Sequence, residues 1–480
     1  MRYLGGMDTM FVRAETRSML LHVTGVLILD PKTSRIDTRQ QVRDLIAARV
    51  PALPPLRWRL IDPPGGIGSL RWIEDPDFNL DDHVYFTSTP PPGTRTELEA
   101  IVAEVAGTPL DRDRPLWEMH VIDGLEDGSV AVVWKFHHAF MDGGGGMGVI
   151  GCIFDLDPDA DPPALLDLRQ AEAVPSRWDL LVDTPRELLF RLGQVPSAAM
   201  STVAGIGGLL GSMFPGRSTG NGTSLAPRSP YNGRLSDDRV VALGDASLVD
   251  VKKIKTAFDV TVNDVVLAAV ASSLRDHLGS DVATAQGPLT AAVPVSVRPE
   301  GMEDDFGNHT SAMMVSLPTD LEDPVARLTA IHESSMQTKE QHRAMGPDLL
   351  EQWAGLIPPW LISAGADVVG RFGLGSHLPT VFNVIVSNVA GPPVPIYLAG
   401  AEVTAIYPIG PLMEGGGLNI SVISRRDRIH IGVVGDPTLV TDPSAITTGF
   451  ARAIDQLLDS APSKPRSPRS RGPARTAKEA

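Results

Sequence analysis

Cysteine is nearly absent. With Cys152 alone, no internal disulfide can form, so a reducing compartment is the default, and no zinc site of paired cysteines can be built. Positive charge is short as well: 42 Lys and Arg face 58 Asp and Glu, a net charge of −16. That balance argues against general affinity for nucleic acid or for an anionic membrane surface. Aromatic residues make up 5%, against an ordinary apolar fraction of 42%, which still predicts a packed core. Long apolar runs are missing too. The longest uncharged stretch, residues 192–216, is broken by Gln194, two prolines and six glycines, a poor membrane span. No basic region followed by an apolar run opens the chain, so no secretory signal is read. The expectation is a soluble, or at most peripheral, protein.

The 480 residues are enough for two or three domains. The first zone, 1–154, mixes strands and helices. Residues 19–29 and 130–136 read as buried strands. Residues 96–107 have helical spacing, with Thr96 and Glu99 in the pattern of a capping box. The second zone, 155–235, has the Pro, Gly and Ser punctuation of a linker around a helical middle at 178–192. In the third, 236–460, Thr261 and Asp264 open a helix over 261–278. Strands are expected at 381–386, 418–424 and 429–434, the last two joined by the charged turn 425–428. The tail, 461–480, sets six Lys and Arg against Glu479; it reads as a solvated segment or a weak membrane tether. No short internal repeat is visible. The simplest architecture is two α/β halves joined by a crossing linker.

The segment that carries chemistry is 135–148, KFHHAFMDGGGGMG. Alternation along the preceding strand puts Val132, Trp134, Phe136 and His138 on one face and His137 on the other. The two histidines therefore should not do the same job: one can face a reaction channel while the other packs into structure. Asp142 is close enough to brace the turn that presents the imidazole. The glycines from Gly143 let the backbone bend before a helix near Met147. Imidazole suits proton transfer at neutral pH, and a hydroxyl needs such a base before it attacks. A single strand-end histidine is more often structural, but the four fixed positions of HHxxxDG arise by chance in roughly one chain of this length in a thousand.

Rival motifs fare worse. Gly143, Gly145 and Gly148 satisfy GxGxxG, but the turn after Phe136 is not tight and no acid-ended second strand follows, against a dinucleotide site. Residues 216–220 match GxSxG inside Gly/Ser-rich linker with no strand before them. A metal on His137, His138 and Asp142 would need both histidines on one side, so no metal is expected.

HHxxxDG, here residues 137–143, resembles the active-site signature of the CoA-dependent acyltransferase superfamily. Further blocks resemble the bacterial wax ester synthase/diacylglycerol acyltransferase family: 7–11 (MDTMF) with Glu15 and His22, 110–118 (LDRDRPLWE), 261–265 (TVNDV), 293–298 (VPVSVR), 306–308 (FGN) and 383–392 (NVIVSNVAGP), with Ala390 where proline is common. Together they span about residues 7–455. The resemblance implies an α/β fold of two chloramphenicol-acetyltransferase-like domains, with mixed sheets around a central channel. It implies transfer of a long acyl chain from acyl-CoA, as co-substrate and with no bound cofactor, to diacylglycerol, a long-chain alcohol, or both.

By the same resemblance His138 is the general base and Asp142 is structural, with Arg298 as its partner. Asn263 and Asp264 support the channel, a role no better founded on the residues alone than a helix cap. Ser387 and Asn388, placed after a strand, contact substrate or close a turn. With no credible Ser or Cys elbow, a direct ternary mechanism is expected, and Cys152 reads as core. An apolar acceptor calls for an apolar mouth, for which 192–216 and 353–369, with Trp360, are candidates. That gives a cytoplasmic protein with possible peripheral contact at the inner membrane or lipid droplets. Two alternatives stand beside this: a same-fold acyltransferase for another alcohol or a carrier-bound donor, and a non-catalytic lipid-binding protein.

Overall fold

Valine and alanine fill both faces of the strand before the paired histidines, as expected of a strand buried between two layers. In the structure, a computed structural model, this is β7, Val130–His137, central in a six-stranded sheet. The structure describes residues 2–32, 39–63, 69–140, 153–160, 174, 225–296, 310–345, 362–366, 368 and 379–462. Helix α1 (Gly6–Ala14) follows the short β1 (Arg2–Tyr3). The first sheet comprises β2 (His22–Leu29), β5 (Val84–Ser88), β6 (Trp117–Asp123) and β7, with β12 (Tyr397–Leu398) and β13 (Ala401–Ile409) from far along the chain. Its order is β12-β13-β2-β7-β6-β5. Val132 and Trp134 enter one core cluster, with α2 (Arg39–Arg49), while Ala131 and Val133 enter another under α3 (Arg95–Gly107). The alternation read from the sequence is therefore the one built. Beside it a three-stranded sheet, β1-β4-β3, has β4 (Arg71–Glu74) at its centre, antiparallel to both β1 and β3 (Trp58–Ile61).

The second sheet runs β10-β9-β11-β14-β15-β8. Its members are β8 (Val240–Ser247), β9 (Leu289–Ser296), β10 (Thr310–Leu317), β11 (Val384–Ala390), β14 (Leu418–Arg425) and β15 (Arg428–Gly435). Helices α4 (Leu248–Phe258), α5 (Val262–Leu278), α6 (Ser280–Gln286), α7 (Pro324–Met345) and α8 (Pro443–Asp459) follow in order. The sheet is mixed: β11 lies parallel to both β9 and β14, whereas β14–β15 is a hairpin. Helix α5 is apolar almost all round, and its residues from Val265 to Ala271 are all buried, as a helix enclosed in a core must be.

Two expectations need correction. The capping box of α3 is Thr94 with Glu97, not Thr96 with Glu99. Both pairs have the same spacing, and the earlier one is formed because Gly93, at φ +78°, turns the chain into the helix there. Glu99 instead accepts the Leu243 N–H at 2.7 Å, while Arg95 Nη1 donates to the Leu243 carbonyl at 3.2 Å. These side chains occupy the free edge of β8, a way of blunting an exposed strand edge, and they stitch α3 to the second sheet. The strand expected at 381–386 starts at Val384 and continues to Ala390. Its ladder with β14 runs on through polar positions, so Ser387 and Asn388 lie within β11, opposite Ser421 and Val422. The helix near Met147, the helical middle at 178–192 and the candidate mouth segment 192–216 lie outside the described residues, as does most of 353–369.

Candidate active site

The strand β7 ends at His137, which pairs with His22 at the start of β2. His137 is 1% exposed, and its Nδ1 accepts the Ala139 N–H at 3.0 Å. With the acceptor role on Nδ1, the ring proton belongs on Nε2, which faces Glu15 Oε2 at 3.6 Å, an electrostatic contact longer than a hydrogen bond. His138 is the first residue of the turn. Its N–H donates to the Leu21 carbonyl at 2.8 Å, and its ring stacks on Phe11 of α1 with centroids 4.6 Å apart and planes 21° from parallel. The His138 side chain is half-buried, so it is not sealed in packing. The chain re-enters the described residues at Ile153, and Phe140, Ile153 and Phe154 share one core cluster. Asp142 and Gly143 of the motif, Cys152 and Arg298 lie outside the described residues.

Beneath the turn is a layer of buried charge. Glu15 Oε1 accepts the Leu21 N–H at 3.1 Å, and Arg112 Nη2 donates to Glu15 Oε2 at 2.7 Å. Burial opposes ionisation of Glu15, but His137 and Arg112 outweigh it and hold the carboxyl at about 2. Lys135, fully buried, donates from Nζ to the carbonyls of Val105 (3.2 Å) and Thr108 (3.1 Å) and pairs with Glu118 at 2.8 Å. Burial also opposes the charge of Glu118, yet His120 and Lys135 keep its carboxyl at about 2. His22 sits beside them, donating from Nε2 to the Ala106 carbonyl at 2.9 Å. Burial, with the Lys135 charge second, pushes its imidazole down to about 3, so His22 is neutral. A small cavity lined by His22, Thr24, Ala106 and Arg239 lies at this layer.

The other candidates gather on the second sheet. Asn388 Nδ2 donates to Asn263 Oδ1 at 3.3 Å. Thr261 and Asp264 form the capping box of α5, with Thr261 N to Asp264 Oδ2 at 2.9 Å and Asp264 N to Thr261 Oγ1 at 3.2 Å. The cap reading of Asp264 is thus realised. The same oxygen accepts His332 Nδ1 of α7 at 2.8 Å. His332 has no counterpart in the sequence reading, and Glu15, Arg112, Glu118 and Lys135 stood inside its segments without a role. The partners of Glu15 lie 97 and 122 positions away, so no local spacing announces them. Among the described residues no group of three His, Cys, Asp or Glu could hold a metal. Nor is any single described helix long and apolar enough to cross a membrane; α4 and α5 pass together but bend by 106°, and α5 is core.

The family model "Wax ester synthase/diacylglycerol acyltransferase catalytic domain" matches residues 4–266, and that of the "WS/DGAT C-terminal domain" matches 306–458. The Mycobacterium tuberculosis (strain H37Rv) protein named "Putative diacyglycerol O-acyltransferase Rv0221" is 34% identical, over 94% of this chain and 94% of its own. A second from that strain, of the same name but Rv1760, is 32% identical over 97% and 92%. Among solved structures, the wax ester synthase/diacylglycerol acyltransferase from Marinobacter aquaeolei VT8 superposes with a TM-score of 0.69 at 26% identity, covering 96% of this chain and all of that one. The first condensation domain of the calcium-dependent antibiotic synthetase, at 15% identity and TM-score 0.56 over 96% and 98%, shares the fold. The chain belongs to the wax ester synthase/diacylglycerol acyltransferase family and is an acyltransferase.

Proposed function

We propose that this acyltransferase moves a long-chain acyl group from acyl-CoA to the hydroxyl of diacylglycerol, and of long-chain alcohols, with His138 as general base and no acyl-enzyme. The observation that carries this is the division of labour in the pair. His137 is buried with its Nδ1 engaged, while His138 stands half-buried at the turn with its backbone tied to Leu21 and its ring on Phe11. The His138 imidazole takes the hydroxyl proton as the alcohol oxygen attacks the thioester carbonyl. The C–S bond then breaks, and the imidazolium returns the proton to the departing thiolate, leaving an ester and free CoA. The printed names of the relatives favour diacylglycerol, and the Marinobacter enzyme's adds wax esters. Asp142, Gly143, Arg298, Ser387 and Asn388 are assigned supporting roles on the same reading, as is Asn263, which Asn388 holds.

The test is product analysis with purified protein, radiolabelled acyl-CoA and a panel of diacylglycerol and hexadecanol. His138→Ala should lower turnover on the order of 10³-fold or more with an unchanged melting temperature. Full turnover in that variant removes the proposal, and a labelled product on neither acceptor removes the substrate assignment.

A further inference from the structure

We propose that Glu15 is the positioning residue for His138: its one carboxylate secures the peptide N–H groups on both sides of that side chain. This rests on the reading of His138 as base. From Oε1 the path runs through residue Leu21, whose N–H Glu15 accepts and whose carbonyl holds the His138 N–H. From Oε2 it runs through an electrostatic contact at 3.6 Å with Nε2 of His137, whose Nδ1 holds the next N–H, that of Ala139. Two successive peptide units of the turn are thereby tied to a single group on the segment after α1. Glu15 is itself fixed by Arg112, which also donates to the Val12 carbonyl at 2.9 Å at the end of α1. Helix α1 supplies Phe11 to the His138 ring. Backbone, ring and brace of the base thus converge on one stretch, residues 11–21.

Positioning matters because proton transfer and attack demand alignment; an error of about 1 Å costs on the order of 100-fold in rate. Glu15 does not touch the reacting atoms and acts through His137 and Leu21. A carboxylate suits the place because both oxygens can accept at once, whereas an amide offers one acceptor and one donor. In Glu15→Gln the amide oxygen can still take the Leu21 N–H, but the amide N–H groups then confront His137 Nε2–H and Arg112, and the His137 arm is lost. His137→Asn is the complement: its Oδ1 can still hold the Ala139 N–H but offers nothing to Glu15.

The experiment is steady-state kinetics with acyl-CoA and diacylglycerol on Glu15→Gln, His137→Asn, the double variant, and Glu15→Gln in the His138→Ala background. Glu15→Gln should lower kcat roughly 100-fold with KM values for both substrates within about twofold. The double variant should be no slower than Glu15→Gln alone, because both substitutions cut the same arm. In the His138→Ala background Glu15→Gln should leave the residual rate within about twofold. A Glu15→Gln enzyme as fast as wild type, losses that multiply in the double variant, or an equal loss without His138 each overturns the brace. Should Glu15→Gln fold poorly, His137→Asn decides: a kcat loss of about tenfold at unchanged KM supports the brace, and full activity overturns it. Failure of the base reading is separate, since it appears as activity retained in His138→Ala alone.

Discussion

Asp264 accepts a backbone N–H from Thr261 and the His332 Nδ1–H on the same oxygen, and its own N–H is held by the Thr261 hydroxyl. It is 1% exposed, and burial alone would raise its carboxyl; the bonds from His332 and Thr261 reverse that and lower it. A helix cap is typically worth about 1 kcal/mol, and a hydrogen bond to a charged group about 1.5–3. Asp264→Ala should therefore cost roughly 2–4 kcal/mol of unfolding free energy, read as a shift of the urea midpoint. The histidine pair lies on the other sheet, so kcat of the folded fraction should hold. A variant with native stability and a collapsed kcat would reverse this, making Asp264 part of the chemistry instead of the frame. Asn263, one residue along, makes a single long contact with Asn388, and its alanine variant should cost less than that of Asp264.

At the scale of elements, the two sheets are locked where consecutive strands part company. Strand β13 joins the first sheet and β14 the second, and Gly432 of β15 lies against the backbone carbonyl of Pro408 in β13. A Cβ at Gly432 would meet that oxygen and also Ile409 Cδ1 at 2.6 Å. Backbone cannot swing aside as a side chain can, so Gly432→Ala should cost about 3 kcal/mol and loosen the packing of one sheet on the other. Thermal unfolding measures it; a melting temperature within about 1 °C of wild type would mean that the sheets adjust freely. Sequence foresaw much of this region but not its partnership. β7, the helix after Thr261 and the β14–β15 hairpin were legible because period, cap and turn are local signals. The place of β13 between β12 and β2 was not, because strand pairing across 380 positions leaves no local trace. The capping box of α3 was legible in kind but not in register, since TRTELE offers the pattern twice. At the site, HHxxxDG marked the histidines, whereas Glu15 and Lys135 matter through partners that only the folded chain brings near.

Across the whole molecule, buried titratable groups set a direction for acid stability. His22 is held neutral in the fold, at about 3 against an ordinary 6.5. Unfolding lets it take up a proton, so its stabilising contribution is complete above pH 6.5 and drains away as the pH falls toward 3. Burial pushes His83 and His277 down as well, in the same sense. Glu15 and Glu118, at about 2 against 4.5, favour the fold while ionised; their contribution is complete above pH 4.5 and is lost between 4.5 and 2. Burial raises the carboxyls of Glu99 and Glu414, which work in the opposite sense and offset part of the loss as they take up protons. Above that range the histidines act alone, so stability should fall as the pH drops below about 6.5. For His22 alone the loss from pH 7 to pH 4 is roughly 3 kcal/mol, a large share of a typical total of about 5–15. His22→Gln separates the parts, because the amide can still donate to the Ala106 carbonyl but cannot titrate. Urea unfolding followed from pH 8 to pH 4 should show a shallower decline in that variant from about 6.5 down to the end of the range. Parallel curves in the two proteins would mean that His22 takes up its proton as readily in the fold as in the unfolded chain, and the buried layer under the histidine turn would then accommodate an added positive charge beside Lys135 on acidification.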